Sequence, residues 1–105
     1  MKRFDPRAAG DAVTVSLDMT DLIPSGATIT GYSVSASVFA GCPVPDPSPS
    51  ATLDGLPGLQ GNVLLQRLTG GVNGCTYVLT FKLTFSTGDS IEEDVLQLVS
   101  QYVPV

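Results

Sequence analysis

The most regular pattern in the chain lies between residues 77 and 86. Tyr77, Leu79, Phe81, Leu83 and Phe85 alternate there with Val78, Thr80, Lys82, Thr84 and Ser86. A period of two sustained over ten residues is what a strand with one buried and one wet face requires. Gly88-Asp89 breaks the run and a second apolar segment follows, about Ser90 to Gln101, so the pair reads as a hairpin. Its charged start, Glu92-Glu93-Asp94, is expected to be solvated, and Val95 to Val99 half or wholly covered.

Upstream, a second unbroken alternation predicts a strand over about Ala12 to Met19. Val13, Val15, Leu17 and Met19 point one way, and Thr14, Ser16 and Asp18 the other. Thr20 to Gly26 is a turn or short helical loop closed by Pro24 and Gly26. A long strand follows, about Thr28 to Phe39, with a slip in phase. Ile29 has one parity, whereas Tyr32, Val34, Ala36 and Val38 share the other. Gly31 sits at the change, where a bulge admits one extra residue without steric cost, the alternative being a bend that serves two sheets.

Between Cys42 and Ser50 every second residue is proline (Pro43, Pro45, Pro47, Pro49), which rules out a central strand. This is expected to be a stiff, extended surface connector, with a proline ligand for an aromatic groove as the other reading. Ala51 to Asp54 reads as a short strand and Gly55 to Gly61 as a turn-rich loop. Asn62 to Leu68 is a further strand whose inward face is ambiguous at Val63-Leu64-Leu65. Gly70-Gly71 and Asn73-Gly74 then mark turns before Tyr77. Tyr77 is placed as the tyrosine of a tyrosine corner, its hydroxyl bonding backbone upstream and pinning Gly71 to Asn73; simple core packing is the alternative.

Six to seven strands with turn signals every eight to twelve residues and no helical period make this an all-β chain. The expected architecture is an immunoglobulin-like antiparallel β-sandwich. Its organisation is read as an extended N-terminal arm (1–10), a sandwich domain (11–101) and a C-terminal tail (102–105). A length of 105 residues suits one such core.

Composition narrows the function. The formal net charge is −5, unevenly spread: Lys2, Arg3 and Arg7 cluster in the arm, whereas from residue 8 onward only Arg67 and Lys82 face nine acidic residues. So acidic a body lacks the basic patch that nucleic acid or an anionic membrane demands. The basic arm is either a solvated terminus or a segment that docks on an acidic neighbour. Met1-Lys2-Arg3-Phe4 begins like a signal peptide, but Asp5-Pro6-Arg7 follows instead of an apolar stretch, and no run approaches a membrane span. Assembly in the cytoplasm is therefore expected. Cys42 and Cys75 are too few for a disulfide framework, so two reduced thiols are expected, an intersheet bridge being geometrically conceivable.

Candidate chemistry is sparse. With no His in the chain, the usual general base, the commonest metal ligand and most nucleophile triads are missing. Neither Cys has a neighbouring base. Asp18/Asp21 and Glu92-Glu93-Asp94 are the only carboxylate clusters, and neither has the ligand count of a calcium loop. No phosphate-binding loop or stacking platform is present. No catalytic, cofactor-binding or metal residue is assigned, and no cofactor is expected.

Several short motifs, in order, resemble tailed-phage virion proteins. They are Phe4-Asp5-Pro6, Val13 to Asp18 and Leu22 to Ile29, then Leu68-Thr69-Gly70-Gly71 with Gly74 and Tyr77, then Ser86-Thr87-Gly88 with Ile91-Glu92. The resemblance covers roughly residues 4–38 and 62–99. Met19 stands where that family often has Trp, and Cys42 to Pro49 replaces a more ordinary link. The resemblance implies an immunoglobulin-like, non-enzymatic structural module of the head, head–tail or fibre assembly. Its partners would be other virion proteins and itself as a homo-oligomer, with no nucleic acid or membrane. The alternative is host-surface adhesion or carbohydrate binding, through the proline loop with Gly55 to Gly61 and Gly70 to Gly74.

Overall fold

The computed structural model describes residues 2–40 and 46–99. Within them seven strands form two sheets. They are β1 (Lys2–Arg3), β2 (Val13–Asp18), β3 (Ile29–Ala40), β4 (Gly58–Gln60), β5 (Val63–Leu68), β6 (Thr76–Phe85) and β7 (Ser90–Leu98). A four-stranded sheet runs β1-β7-β6-β3 and a three-stranded sheet runs β2-β5-β4. This is the two-sheet sandwich the alternation predicts. All the strand pairs are antiparallel except β1 with β7.

The core forms where the inward faces meet. Every odd residue of β6 from Tyr77 to Phe85 is buried, and the even ones between them are half-exposed. Leu17, Met19, Leu64 and Leu68 meet Leu79, Phe81, Leu83, Phe85 and Val95 across the sandwich. Gathering so many large apolar side chains out of water is the main driving force available to a domain this small. In β5 the ambiguity resolves toward Leu64, Gln66 and Leu68, all buried. Gln66 is tolerated inside because its amide nitrogen donates to the Arg67 and Gly55 carbonyls.

The phase slip in β3 is a bulge. Ile29 pairs with Phe85 and Gly31 with Thr84, so Thr30 is the extra residue. Its hydroxyl donates to the Thr84 carbonyl. Inward-facing Val34 and Ala36 pack on the core, but Tyr32 and Val38, of the same parity, stay 43% and 39% exposed.

Three segments differ from expectation. Pro49–Thr52 is a turn of 3-10 helix rather than the start of a strand, with Leu53 alone bridging to Leu68. Proline at its first position favours this, since a missing N–H costs nothing in a first turn. Gly58–Gln60, inside the expected loop, pairs with Val63–Leu65. The basic lead is an edge strand with a buried end: Lys2 and Arg3 pair in parallel with Val95 and Leu96. The Phe4 ring packs edge-on to Phe81, centroids 5.9 Å apart.

Candidate interaction surfaces

One end of the sandwich is closed by a polar clasp built from four distant stretches of chain. Tyr77 is 1% exposed at the head of β6, and its hydroxyl reaches the turn before it. The Val72 N–H donates to that oxygen at 2.8 Å, and the hydroxyl donates to the Asp46 carboxylate at 2.6 Å. The tyrosine corner is thus present, with Asp46 as a second anchor. Burial, then the hydrogen bond to Asp46, push the Tyr77 phenol above its ordinary range. Gly71 must be glycine here. Its φ is +99°, and a Cβ would stand 3.1 Å from Val99 Cγ2 and 3.2 Å from Tyr77 Cε2.

Arg7 enters the same clasp from the other terminus. It is 6% exposed, and its guanidinium donates to the Gly70 carbonyl at 2.9 Å and the Thr69 carbonyl at 3.3 Å. Its own N–H bonds the Leu98 carbonyl, and Arg7 bridges in parallel to Val99. Desolvation by burial lowers the pKa of the guanidinium, which the nearby Asp11 and Tyr77 partly offset. Backbone bonds from Gly74 N–H to the Val99 carbonyl (2.7 Å) and from Val99 N–H to the Cys75 carbonyl (3.0 Å) close the ring. Sequence reasoning found Tyr77 but missed Arg7, which it grouped with Lys2 and Arg3 in a basic arm.

Cys75 is fully buried and disulfide-bonded, which corrects the expectation of a reduced thiol at this position. Cys42 lies outside the described residues, as do Pro43 and Pro45 of the proline loop.

Asp18, Glu93 and Asp94 of the acidic clusters are engaged within the chain. Asp18 accepts bonds from the Thr20 hydroxyl and backbone N–H, which hold its carboxyl below the usual range. Asp94 accepts from the Thr80 hydroxyl, Glu92 stands opposite Lys82, and Glu93 lies 3.8 Å from Lys2 Nζ. Among the described residues no group of three or more metal-ligating side chains forms. An open cleft of about 360 Å³ separates the arm from β2. Phe4 to Arg7, Val13 to Ser16 and Gln97 line it, and Gln97 Nε2 fastens the arm by donating to the Asp5 carbonyl.

Among the described residues, the three loops considered for adhesion do not form one surface. Gly70 to Gly74 and Asp46 share the clasp, whereas Gly61 lies at the opposite end of β5, about 17 Å away for a six-residue strand. Gly55 lies between them, beside Gln66.

The fold and the clasp define a two-sheet all-β sandwich whose polar groups close one of its ends. The match to a family model places it further: residues 7–98 fit the family described as podophage GP4 fiber-tail adaptor protein gp77, and the chain belongs to that family. Among curated proteins none matches it. The role is thus that of a phage virion structural protein, as the motifs around Gly70, Tyr77 and Gly88 implied. Among the described residues no helix is long and apolar enough to cross a membrane.

Proposed function

We propose that the protein is a non-enzymatic adaptor that joins fibre to tail on a podophage particle, bound to its virion neighbours and present in several self-associated copies. The family match over residues 7–98 carries this reading. The absence of His from the chain and the engagement of Asp18, Glu93 and Asp94 in local contacts support a role in contact rather than catalysis. The acidic body offers little to nucleic acid or to an anionic membrane. In this reading residues 11–101 are the sandwich body, 1–10 an arm fastened along β7, and 102–105 a tail beyond the described residues.

The test is genetic and biochemical. Particles assembled without this protein should lack fibres by electron microscopy and by proteomics, and the purified chain should capture the fibre or tail protein of the same phage. Particles that keep a full set of fibres in its absence would overturn the reading.

A further inference from the structure

We propose that the edge of β3 away from β6 is the self-association surface, pairing antiparallel with β3 of a second copy about a two-fold axis centred on Ser35. This deepens the self-association part of the function proposed above and rests on it.

An edge strand presents a row of unpaired backbone groups, and proteins blunt such edges with short strands, charge, proline or cover. Three of the four edges among the described residues are blunted. β1 has two residues, both basic, and is followed by Pro6. β4 has three, set between Pro57 and Gly61. β2 has six, ends in Asp18, and faces the cleft roofed by the arm. The fourth edge is interrupted only near its ends, by bulges at Thr30 and Phe39. β3 runs for twelve residues, Ile-Thr-Gly-Tyr-Ser-Val-Ser-Ala-Ser-Val-Phe-Ala, without a charge or a proline. Among the described residues its ladder partner is β6 alone, and the Pro49–Thr52 turn also lies against it. It also carries Tyr32, Val38 and Phe39, three of the five large apolar side chains left exposed among the described residues.

What singles out a second copy as the occupant is the order of residues along the strand. Antiparallel pairing about Ser35 sets Ser33 against the second copy's Ser37, Val34 against its Ala36, and Tyr32 against its Val38. The serine hydroxyls of Ser33 and Ser37 meet each other, and inward-facing Val34 and Ala36 meet each other. Tyr32 and Val38, which this chain leaves uncovered, cover each other. Cross-strand pairs of matched type are the unit of sheet stabilisation, and an isologous contact requires this self-complementarity. Charge points the same way. The body is strongly acidic, yet no acidic residue lies on this strand, so two copies meet without a like charge at the contact. The product is a continuous eight-stranded sheet across the pair.

The register supplies the test. Ser33 and Ser37 are exposed and meet only across the dyad, so paired substitutions distinguish this contact from any other. S33E/S37K places opposite charges face to face between the two copies and should sediment as the wild type does. S33E/S37E places like charges there and should shift the chain to monomer, with at least a tenfold weaker dimer constant. Both variants carry the same change at Ser33, which stands opposite Lys82 within the chain, so comparable melting temperatures confirm intact folds. Sedimentation velocity over a concentration series on the full-length chain reads the outcome. A monomeric wild type, or an S33E/S37E variant as dimeric as S33E/S37K, overturns the proposal. Capture of the fibre or tail protein by a chain that remains monomeric would overturn this edge while leaving the adaptor reading intact.

Discussion

Replacing Tyr77 by Phe isolates the clasp's chemistry from its packing. The ring remains, 1% exposed against Gly71 and Val99, and only the hydroxyl is lost. Two bonds go with it: the one accepted from Val72 N–H and the one donated to the Asp46 carboxylate. A neutral hydrogen bond contributes about 1 kcal/mol net and one to a charged group about 1.5–3 kcal/mol. Val72 and Asp46 are only half-buried, so water recovers part of the loss, and the expected cost is about 2 kcal/mol. At about 4–8 °C per kcal/mol for a domain near this size, the melting temperature should drop by about 8–16 °C.

Asp46→Asn provides the cycle. In the wild type it should cost about 1 kcal/mol by removing the charge from the shorter bond. In the Tyr77→Phe background it should cost clearly less, because only the Ser48 N–H would still donate to Asp46. Urea denaturation of the four proteins yields the coupling. A Tyr77→Phe cost below about 0.5 kcal/mol, or equal Asp46→Asn costs in both backgrounds, would refute the view that the hydroxyl pins this end.

Further outcomes follow from the same end of the molecule. Because the Tyr77 pKa is raised in the folded state from 10.0, its contribution is fully present below about pH 10 and falls as pH rises past that value; alkaline denaturation should be shallower in Tyr77→Phe. Arg7→Met keeps the aliphatic stem but strands the Thr69 and Gly70 carbonyls, and should cost about 1–3 kcal/mol by chemical denaturation. Wild-type protein should lose about 2–4 kcal/mol on treatment with reductant, whereas Cys75→Ala should melt at one temperature with or without it, since Cys75 is disulfide-bonded.

What the sequence disclosed and what it concealed divide along physical lines. β6 is legible because one of its faces lies on the core and the other is half-exposed, which makes its sequence alternate over ten residues. The β3 bulge is legible because a parity change needs an extra residue, and Gly31 marks where one fits. The tyrosine corner is legible because Tyr77 follows two glycine turns at the head of a late strand. By contrast β1 and β4 are held largely by main-chain bonds, which any residue can make, so Lys2-Arg3 and Gly58-Leu59-Gln60 leave no side-chain signature. Arg7 was hidden for a related reason. Its partners are the carbonyls of Thr69 and Gly70, more than sixty residues away, and no local pattern announces a carbonyl.

The parallel pairing of β1 with β7 bears on how such a module could carry load. Lys2–Arg3 lie beside Val95–Leu96, the Phe4 N–H bonds the Leu96 carbonyl, and the Arg7 N–H bonds the Leu98 carbonyl. Chain entry and chain exit therefore run side by side in the same direction. A pull between the two ends strains these bonds along the strand axes, so that all must yield together rather than one after another. An antiparallel edge pair, such as β2 with β5, would peel bond by bond from its loose end when pulled at that end. The buried Arg7 strengthens the shear contact at its far end, where its side-chain bonds to Thr69 and Gly70 couple the arm to the loop that Tyr77 holds. In the adaptor role proposed above, such a module has to resist separation along the line joining its neighbours. The arm that looks like a solvated terminus in the sequence thus closes the path between the two ends of the chain.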